Sequence, residues 1–130
     1  MIPRAVEEEF LKKFSTARRE TLDSSPWIVV VDLQDPEKIA EYPLDKGEAA
    51  ALVLADEKKA RLVLLDEAEG RKVAKARGFT ITGVLGILLD AKKKSLIDMV
   101  EPNIIALEAS GKRISKSLRY KVLKEAGEAD

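Results

Sequence analysis

The chain has 130 residues, of which 45% are hydrophobic and 35% are charged, and its 23 basic and 23 acidic residues balance. This length and composition fit one globular domain with a real core and argue against a disordered chain. Cysteine and histidine are both absent, which excludes disulfide frameworks, thiol nucleophiles, His-based triads and Cys/His zinc sites. Metal chemistry would therefore use oxygen ligands, which favour Mg²⁺ or Mn²⁺.

The first third of the chain predicts a helix followed by a strand. Residues 2–20 carry apolar side chains at helical spacing, at Val6, Phe10, Phe14 and Ala17. The continuous apolar run WIVVVDL, residues 27–33, is typical of a strand that is buried on both faces. Residues 35–43 predict a loop that includes a helical turn.

The middle of the chain alternates helix and strand. Residues 44–60 predict the strongest helix, which starts at a capping box of Asp45 and Glu48 and buries Ala49, Leu52 and Val53. The next elements predicted are a buried strand at 61–66, a helix at 67–78 and a strand at 79–84. Three helices follow, at 85–94, 99–111 and 115–127. Strands that alternate with helices predict an α/β fold with one short parallel sheet flanked by helices.

Two carboxylates are placed where such a sheet binds ligands. Asp66 ends the strand at 61–66, and ligands of open parallel sheets bind beyond the carboxyl ends of the strands. Glu48 lies in the first turn of the preceding helix, which returns antiparallel to the strands, so its start lies near the same edge. We therefore expect Glu48 and Asp66 to approach each other, with Glu67 nearby, as two oxygen ligands of Mg²⁺ would.

Structural explanations for these acids remain open. Glu48 can complete a capping box by accepting from the amide of Asp45. Asp66 can cap the helix that begins near Ala68, where Glu67 also favours the helix dipole. Asp32, at the end of the run 27–33, is expected to cap a turn.

A long stretch of the chain resembles the PIN-domain proteins, in the branch of predicted nucleic-acid-binding proteins. The resemblance runs through DKGEAAALVLADEKKARLVLLDEAEGRKVAKARGFTITGVLGILLDAKKKSLI, residues 45–97, and into the tail SGKRISKSLRYKVLKEAG. It rests on Gly-Glu-Ala, on Leu-Asp-Glu at a strand end, on Ala-Arg, and on GVLG in place of Gly-Thr-Leu-Gly. It implies a three-layer PIN-like α/β domain across residues 1–130.

The family implies a Mg²⁺- or Mn²⁺-dependent ribonuclease, often the toxin of a toxin–antitoxin pair, in which acids hold the metal that activates water. By position, Glu48 and Asp66 match its catalytic acids. Glu67 matches a further metal ligand, and Arg71 matches a basic residue that contacts RNA.

The chain departs from this family in two places. Val84 stands where relatives commonly have threonine. The family's first strand and helix, with its first catalytic aspartate, have no counterpart, so we expect an N-terminally truncated domain that binds metal weakly. Either the run 27–33 then pairs directly with the strand at 61–66, or a second copy supplies the pairing, which predicts a homodimer or higher oligomer.

Basic residues cluster in the last third of the chain. Six lysines and arginines and no acids occur between Lys112 and Lys124, and Lys92 and Lys93 belong to a second cluster. A phosphate backbone would be attracted to Lys92, Lys93, Lys112 and Arg113. The same residues also fit the solvated face of a helix, and both interpretations remain open.

Three functions follow from these patterns. The first is a PIN-type ribonuclease with RNA as substrate and an antitoxin protein as partner. The second is an inactive remnant that acts as a protein-binding or oligomerising module. A receiver-like domain phosphorylated at Asp66 ranks last, because no lysine follows the strand at 79–84 where such a domain needs one.

The absence of a membrane-length apolar run and of a signal-peptide core predicts a cytoplasmic protein. The single Asn and single Gln are typical of thermophiles.

Overall fold

The computed structural model describes residues 1–12 and 15–130. The chain divides into two compact units, Met1–Ile81 and Thr82–Asp130. Each unit has its own hydrophobic core. No helix in the described ranges is long and apolar enough to cross a bilayer.

The first unit mixes short strands with helices, and its longest helix contributes most of its buried apolar residues. In chain order its elements are β1 (Ile2–Pro3), α1 (Arg4–Leu11), α2 (Ser15–Asp23), β2 (Val30–Val31), a 3₁₀ helix (Pro36–Glu41), α3 (Lys46–Lys58), β3 (Val63–Leu64), α4 (Ala68–Ala76) and, at the boundary between the units, β4 (Ile81–Thr82).

The N-terminal region differs from the single helix predicted at 2–20. Ile2 and Pro3 form a strand, parallel to β2, in which Ile2 is opposite Val30. Two helices then follow, and Phe14 lies outside the described residues. The two-residue strand was missed because so short a segment carries no periodicity from which a strand can be recognised.

The prediction of a buried strand at 27–33 was wrong. Regular strand structure is confined to Val30 and Val31, both half-buried. Trp27 is 77% exposed and Val29 is 51% exposed. An apolar run is buried on both faces only when layers cover both, and β2 pairs with β1 in a sheet of two strands.

Helix α3 forms as its sequence predicts. The carboxylate of Asp45 accepts a hydrogen bond from the Glu48 amide at 3.0 Å, which caps the first turn. Ala49, Leu52 and Val53 are buried, and Leu52 belongs to the core of the first unit. The helix ends at Lys59, whose φ of 52° is left-handed.

Strand β3 is half-buried, whereas the sequence predicted a fully buried one. Val63 and Leu65 are buried, but Leu62 and Leu64 are 54% and 53% exposed. The Val63 amide donates to Thr80 O at 2.9 Å, which ties β3 to β4. The alternation shows that no described part of the chain covers the face that carries Leu62 and Leu64.

The predicted single sheet is therefore two separate sheets. β1 pairs with β2, and β3 pairs with β4, so the run 27–33 does not close onto the strand at 61–66. The α/β class itself is confirmed, with short strands, parallel where β1 meets β2, among predominant helices.

The second unit is helical. It contains α5 (Val84–Lys93), α6 (Glu101–Ala109) and α7 (Lys116–Glu125), close to the three predicted helices. Val100, Ile104, Val122 and Leu123 form its buried core. Ser115 caps α7, because its hydroxyl accepts a hydrogen bond from the Leu118 amide at 3.2 Å.

The carboxylate of Glu128, near the C-terminal end, connects α5 and α6 of this unit. Glu128 accepts hydrogen bonds from the amides of Val100 and Glu101, at 2.8 and 3.0 Å, at the start of α6. Lys92 of α5 donates to the same carboxylate at 3.0 Å and to Ala126 O at 2.6 Å. Burial raises the pKa of Glu128, but the two amides and Lys92 outweigh it, so the pKa lies below its usual range.

Candidate functional site

An open pocket of about 420 Å³ in the first unit collects acidic side chains from three elements. It lies where α1, the start of α3 and the end of β3 come together. Its carboxylic acids are Glu9, Asp45, Glu48, Asp66 and Glu67. The structure thus brings together Glu48, Asp66 and Glu67, the three acids that the sequence predicted to be near one another. We call this the acidic pocket.

Glu48 reaches the pocket from the first turn of α3, across the surface of α4. A Cβ built on Gly70 would lie 3.3 Å from Cδ, Oε1 and Oε2 of Glu48. That spacing is tight, so the absence of a side chain at Gly70 gives the Glu48 carboxyl group its place. Gly70 is a buried residue of α4. Alanine is intrinsically favoured over glycine at such a position inside a helix.

The surroundings of Glu48 disfavour its charged form. Burial raises the pKa of Glu48, and the negative charges of Asp45, Glu67 and Glu9 raise it further. Four carboxylates from three segments therefore interact electrostatically. A cation placed among them would remove that repulsion.

Glu9 belongs to the pocket and was missed from the sequence. A Cβ on Gly47 would collide with Glu9 Oε2, so the carboxylate of Glu9 lies directly against the start of α3. Residues 7–9 are three successive glutamates, and nothing local distinguishes the one that faces α3. Val6 and Phe10 line the same pocket. The helical spacing of these two apolar side chains was the sequence signal that could have identified the face of α1 turned toward the pocket.

Arg18 of α2 is the cation among the described lining residues. Its guanidinium donates to Phe10 O at 2.7 Å and lies 5.0 Å from the centre of the Phe10 ring. These contacts hold the positive charge against α1. Among the described lining residues, five acids thus accompany one arginine, which is an excess of negative charge.

Leu65 follows β3 and is buried, and it positions Asp66 and Glu67, which come next in the chain. Glu67, not Asp66, occupies the N-cap position of α4, and it makes no side-chain capping hydrogen bond. Asp66 therefore does not occupy the N-cap position that the sequence suggested for it.

Asp32 has a structural contact elsewhere in the first unit. Its two carboxylate oxygens accept from Nε and Nη2 of Arg4 at 3.1 and 3.2 Å. Hydrogen bonds and charge from Arg4 lower the pKa of Asp32. Arg4 also binds the buried Glu7 at 3.1 Å. The predicted turn-capping role of Asp32 is replaced by a bidentate ion pair.

The predicted RNA-binding residues are spread over both units. Arg71 lies on α4 and is half-buried, while Lys93 is exposed and 4.0 Å from Glu125. Lys112 and Arg113 lie between α6 and α7. Lys92 is committed to Glu128 and Ala126 O, so its ammonium group has a structural role within the second unit.

The acidic pocket suits a hard cation by donor chemistry, since all its acidic ligands are oxygens. Among the described residues, however, no three carboxylates converge closely enough to form a metal-binding group. Mg²⁺ commonly uses only one or two carboxylates and completes its shell with water and substrate phosphate. The residues present therefore fit a two-carboxylate magnesium or manganese site.

Comparison with known proteins identifies the family. The family model described as a PIN domain matches residues 1–128. No curated protein and no solved structure gives a significant match. PIN domains are generally nuclease-related and generally use divalent metal ions. Because the match covers nearly all of the sequence, the chain belongs to the PIN-domain family.

Proposed function

We propose that this chain is a divalent-metal-dependent ribonuclease whose active site is the acidic pocket. The observation that carries the proposal is the electrostatic state of Glu48. This carboxyl group is partly buried and faces the charges of Asp45, Glu67 and Glu9, and its pKa is raised as a result. Such a concentration of like charge is unfavourable by itself, and it is characteristic of sites that act on a ligand.

Glu48 and Asp66 would hold the metal, and Glu67, which the sequence offered as a further ligand, lines the same pocket without completing a three-carboxylate group among the described residues. All three line one pocket that is open to solvent, so a phosphodiester could reach them. A bound Mg²⁺ or Mn²⁺ supplies Lewis-acid stabilisation of the phosphate and lowers the pKa of a coordinated water. The chain's own contribution is to orient these carboxylates by Gly70 and Leu65 and to concentrate negative charge there.

Proton binding competes with metal binding at Glu48. A raised pKa means that the folded chain keeps a proton on this carboxyl group more readily than a free glutamate does. Metal binding requires the ionised form, so it releases that proton. We therefore expect metal affinity to rise with pH until Glu48 is fully ionised.

The basic residues would contact the RNA backbone, which is the sequence-independent part of nucleic-acid binding. We assign this role to Arg71 on the first unit and to Lys93, Lys112 and Arg113 on the second. Lys92 contributes less, because its ammonium group is bound to Glu128. The toxin role and an antitoxin partner belong to the same proposal on the strength of the family match. A homodimer belongs to it only through the unpaired strand edges expected from the sequence.

Metal binding and RNA cleavage test the proposal together. Mn²⁺ is titrated into the chain by calorimetry, and cleavage of an end-labelled RNA is followed with Mn²⁺ or with chelator. We expect Glu48→Gln and Asp66→Asn each to weaken Mn²⁺ binding at least about tenfold and to reduce cleavage to background. Glu37→Gln, at an exposed acid of the 3₁₀ helix Pro36–Glu41, serves as the control and should change neither measurement.

The two readouts separate the outcomes. Mn²⁺ binding with no cleavage above the Asp66→Asn level favours the alternative of a non-catalytic module that retains the fold. If the chain neither binds Mn²⁺ nor cleaves RNA, the proposed metal site is refuted. Cleavage that survives both substitutions places the activity elsewhere or in a contaminant.

A further inference from the structure

Arg18 of α2 lies on the wall of the acidic pocket and is half-buried. Among the described lining residues it is the one basic side chain, and five carboxylic acids line the same pocket. The proposed metal site uses the acids and leaves Arg18 without a role. A positive charge weakens the binding of a metal ion close to it, so a different ligand must account for an arginine at this place.

The guanidinium of Arg18 is held in position by α1. Its Nη1 donates to Phe10 O at 2.7 Å, and its Cζ lies 5.0 Å from the centre of the Phe10 ring. The next residue, Arg19, donates to the buried carboxylate of Glu7 at 3.3 Å. Two neighbouring arginines thus attach α2 to α1, which orders Arg18 at the pocket wall before a ligand arrives.

These contacts hold the positive charge without neutralising it. Both are made with Phe10, through a carbonyl oxygen and an aromatic ring, and neither is made with a carboxylate. A guanidinium presents five N–H donors in a planar fork, and the bond to Phe10 O engages one of its nitrogens. The same fork matches the spacing of two oxygens of a phosphate. Arg18 can therefore donate to a phosphate while it stays on Phe10.

RNA that enters the acidic pocket meets more negative charge than one metal ion balances. A divalent ion between Glu48 and Asp66 would offset two carboxylates, whereas Glu9, Asp45 and Glu67 line the same pocket. Each phosphodiester of the RNA adds a further negative charge. A phosphate in this pocket therefore gains from a second, fixed cation on the wall.

We propose that Arg18 binds a phosphate of the RNA substrate in the acidic pocket and so positions the RNA at the proposed metal site. This inference rests on the proposed function. The guanidinium would donate to the non-bridging oxygens of the phosphate through charge-assisted hydrogen bonds. Because the contact is with phosphate, it adds affinity without selecting a base sequence.

Two titrations of the full chain test this role, and they should respond in different ways to Arg18→Gln. A labelled single-stranded RNA is titrated on ice with Mn²⁺ present, followed by fluorescence anisotropy, and its integrity is checked by electrophoresis. Arg18→Gln should weaken RNA binding at least about tenfold. The slope of log affinity against log salt should become shallower by about 0.7. Mn²⁺ affinity, measured by calorimetry without RNA, should be at least that of the unsubstituted chain, because a positive charge has left the pocket.

Arg61→Gln is the matched control. Arg61 is an exposed arginine of the same unit and is not among the described residues that line the acidic pocket. Its substitution removes the same charge and should change neither titration. Arg18→Lys keeps the charge and loses the fork, so its RNA affinity should lie between those of the unsubstituted chain and Arg18→Gln. This variant carries the test if Arg18→Gln fails to fold.

The outcomes separate this inference from the proposed function. Unchanged RNA affinity in Arg18→Gln, or an equal loss in Arg61→Gln, would overturn the role of Arg18 and leave the metal site standing. RNA binding that depends on Arg18 in a chain that does not bind Mn²⁺ would refute the metal site and support the phosphate contact. Absence of RNA binding by the unsubstituted chain would overturn both the phosphate contact and the ribonuclease.

Discussion

The contact between Gly70 and Glu48 gives the sharpest test of how the acidic pocket is built. Alanine in a helix interior is favoured over glycine by about 1 kcal/mol, so Gly70→Ala in α4 should stabilise the chain if nothing else changed. The new Cβ would lie 3.3 Å from three atoms of the Glu48 carboxyl group, which is closer than ordinary contact. Glu48 must then move by a few tenths of an ångström, and the new contact offsets the gain.

A double-mutant cycle separates the two effects. In the natural background, Gly70→Ala should leave stability nearly unchanged. In a Glu48→Ala background the contact is gone, so the same substitution should stabilise by about 1 kcal/mol, or about 4 °C in Tm. The coupling free energy between the two positions is then about 1 kcal/mol.

Urea denaturation and thermal melting, both followed by circular dichroism at 222 nm, measure the cycle. Mn²⁺ affinity of Gly70→Ala is measured in parallel and should fall about tenfold while the fold is retained, because the displaced carboxylate is a proposed ligand. Equal stabilisation by Gly70→Ala in both backgrounds would refute the assignment of Gly70 as the residue that makes room for Glu48.

Three further predictions concern charge and helix ends. The folded chain binds the Glu48 proton more tightly than the unfolded chain does, because the pKa of Glu48 is raised. The free energy of unfolding, compared with that of Glu48→Gln, should therefore be greatest at low pH and fall as the pH rises from 4.5 through the raised pKa. Urea titrations from pH 4 to 8 would measure this difference. Glu128→Ala removes the acceptor of two amides and one ammonium group and should cost about 2–4 kcal/mol in chemical denaturation, whereas Glu125→Ala should leave stability unchanged. Lys59→Gly relieves a left-handed φ of 52° and should raise stability by up to about 1 kcal/mol in urea melts, whereas Gly78→Ala, at φ 85°, should lower it by a similar amount.

Local sequence signals predicted the helices from α3 onward and the approach of Glu48 to Asp66. Asp45 caps α3 through the Glu48 amide because a side-chain acceptor three residues before that amide is a purely local arrangement. Glu48 and Asp66 line one pocket because the start of a helix and the end of the following strand meet at the same edge of a crossover.

Features that depend on contacts between distant parts of the chain could not be predicted from local sequence patterns. Whether the run at 27–33 is buried depends on which strands and layers lie beside it, and its exposed Trp27 shows that composition alone is insufficient. The pairing of Lys92 with Glu128 joins residues 36 apart and leaves no local pattern. Glu9 enters the acidic pocket because Gly47, on another helix, leaves space for it.

Two glycines therefore shape the charge distribution of this pocket. Gly47 lets Glu9 approach α3, and Gly70 lets Glu48 lie against α4, so in each case a missing side chain admits a carboxylate. Both carboxylates enter a region that already contains Asp45 and Glu67, and the repulsion appears in the raised pKa of Glu48. Arg18 does not remove it, because its guanidinium is held against Phe10. Space made for like charges, with the cation among the described lining residues held against another group, is the physical argument for the proposed metal site.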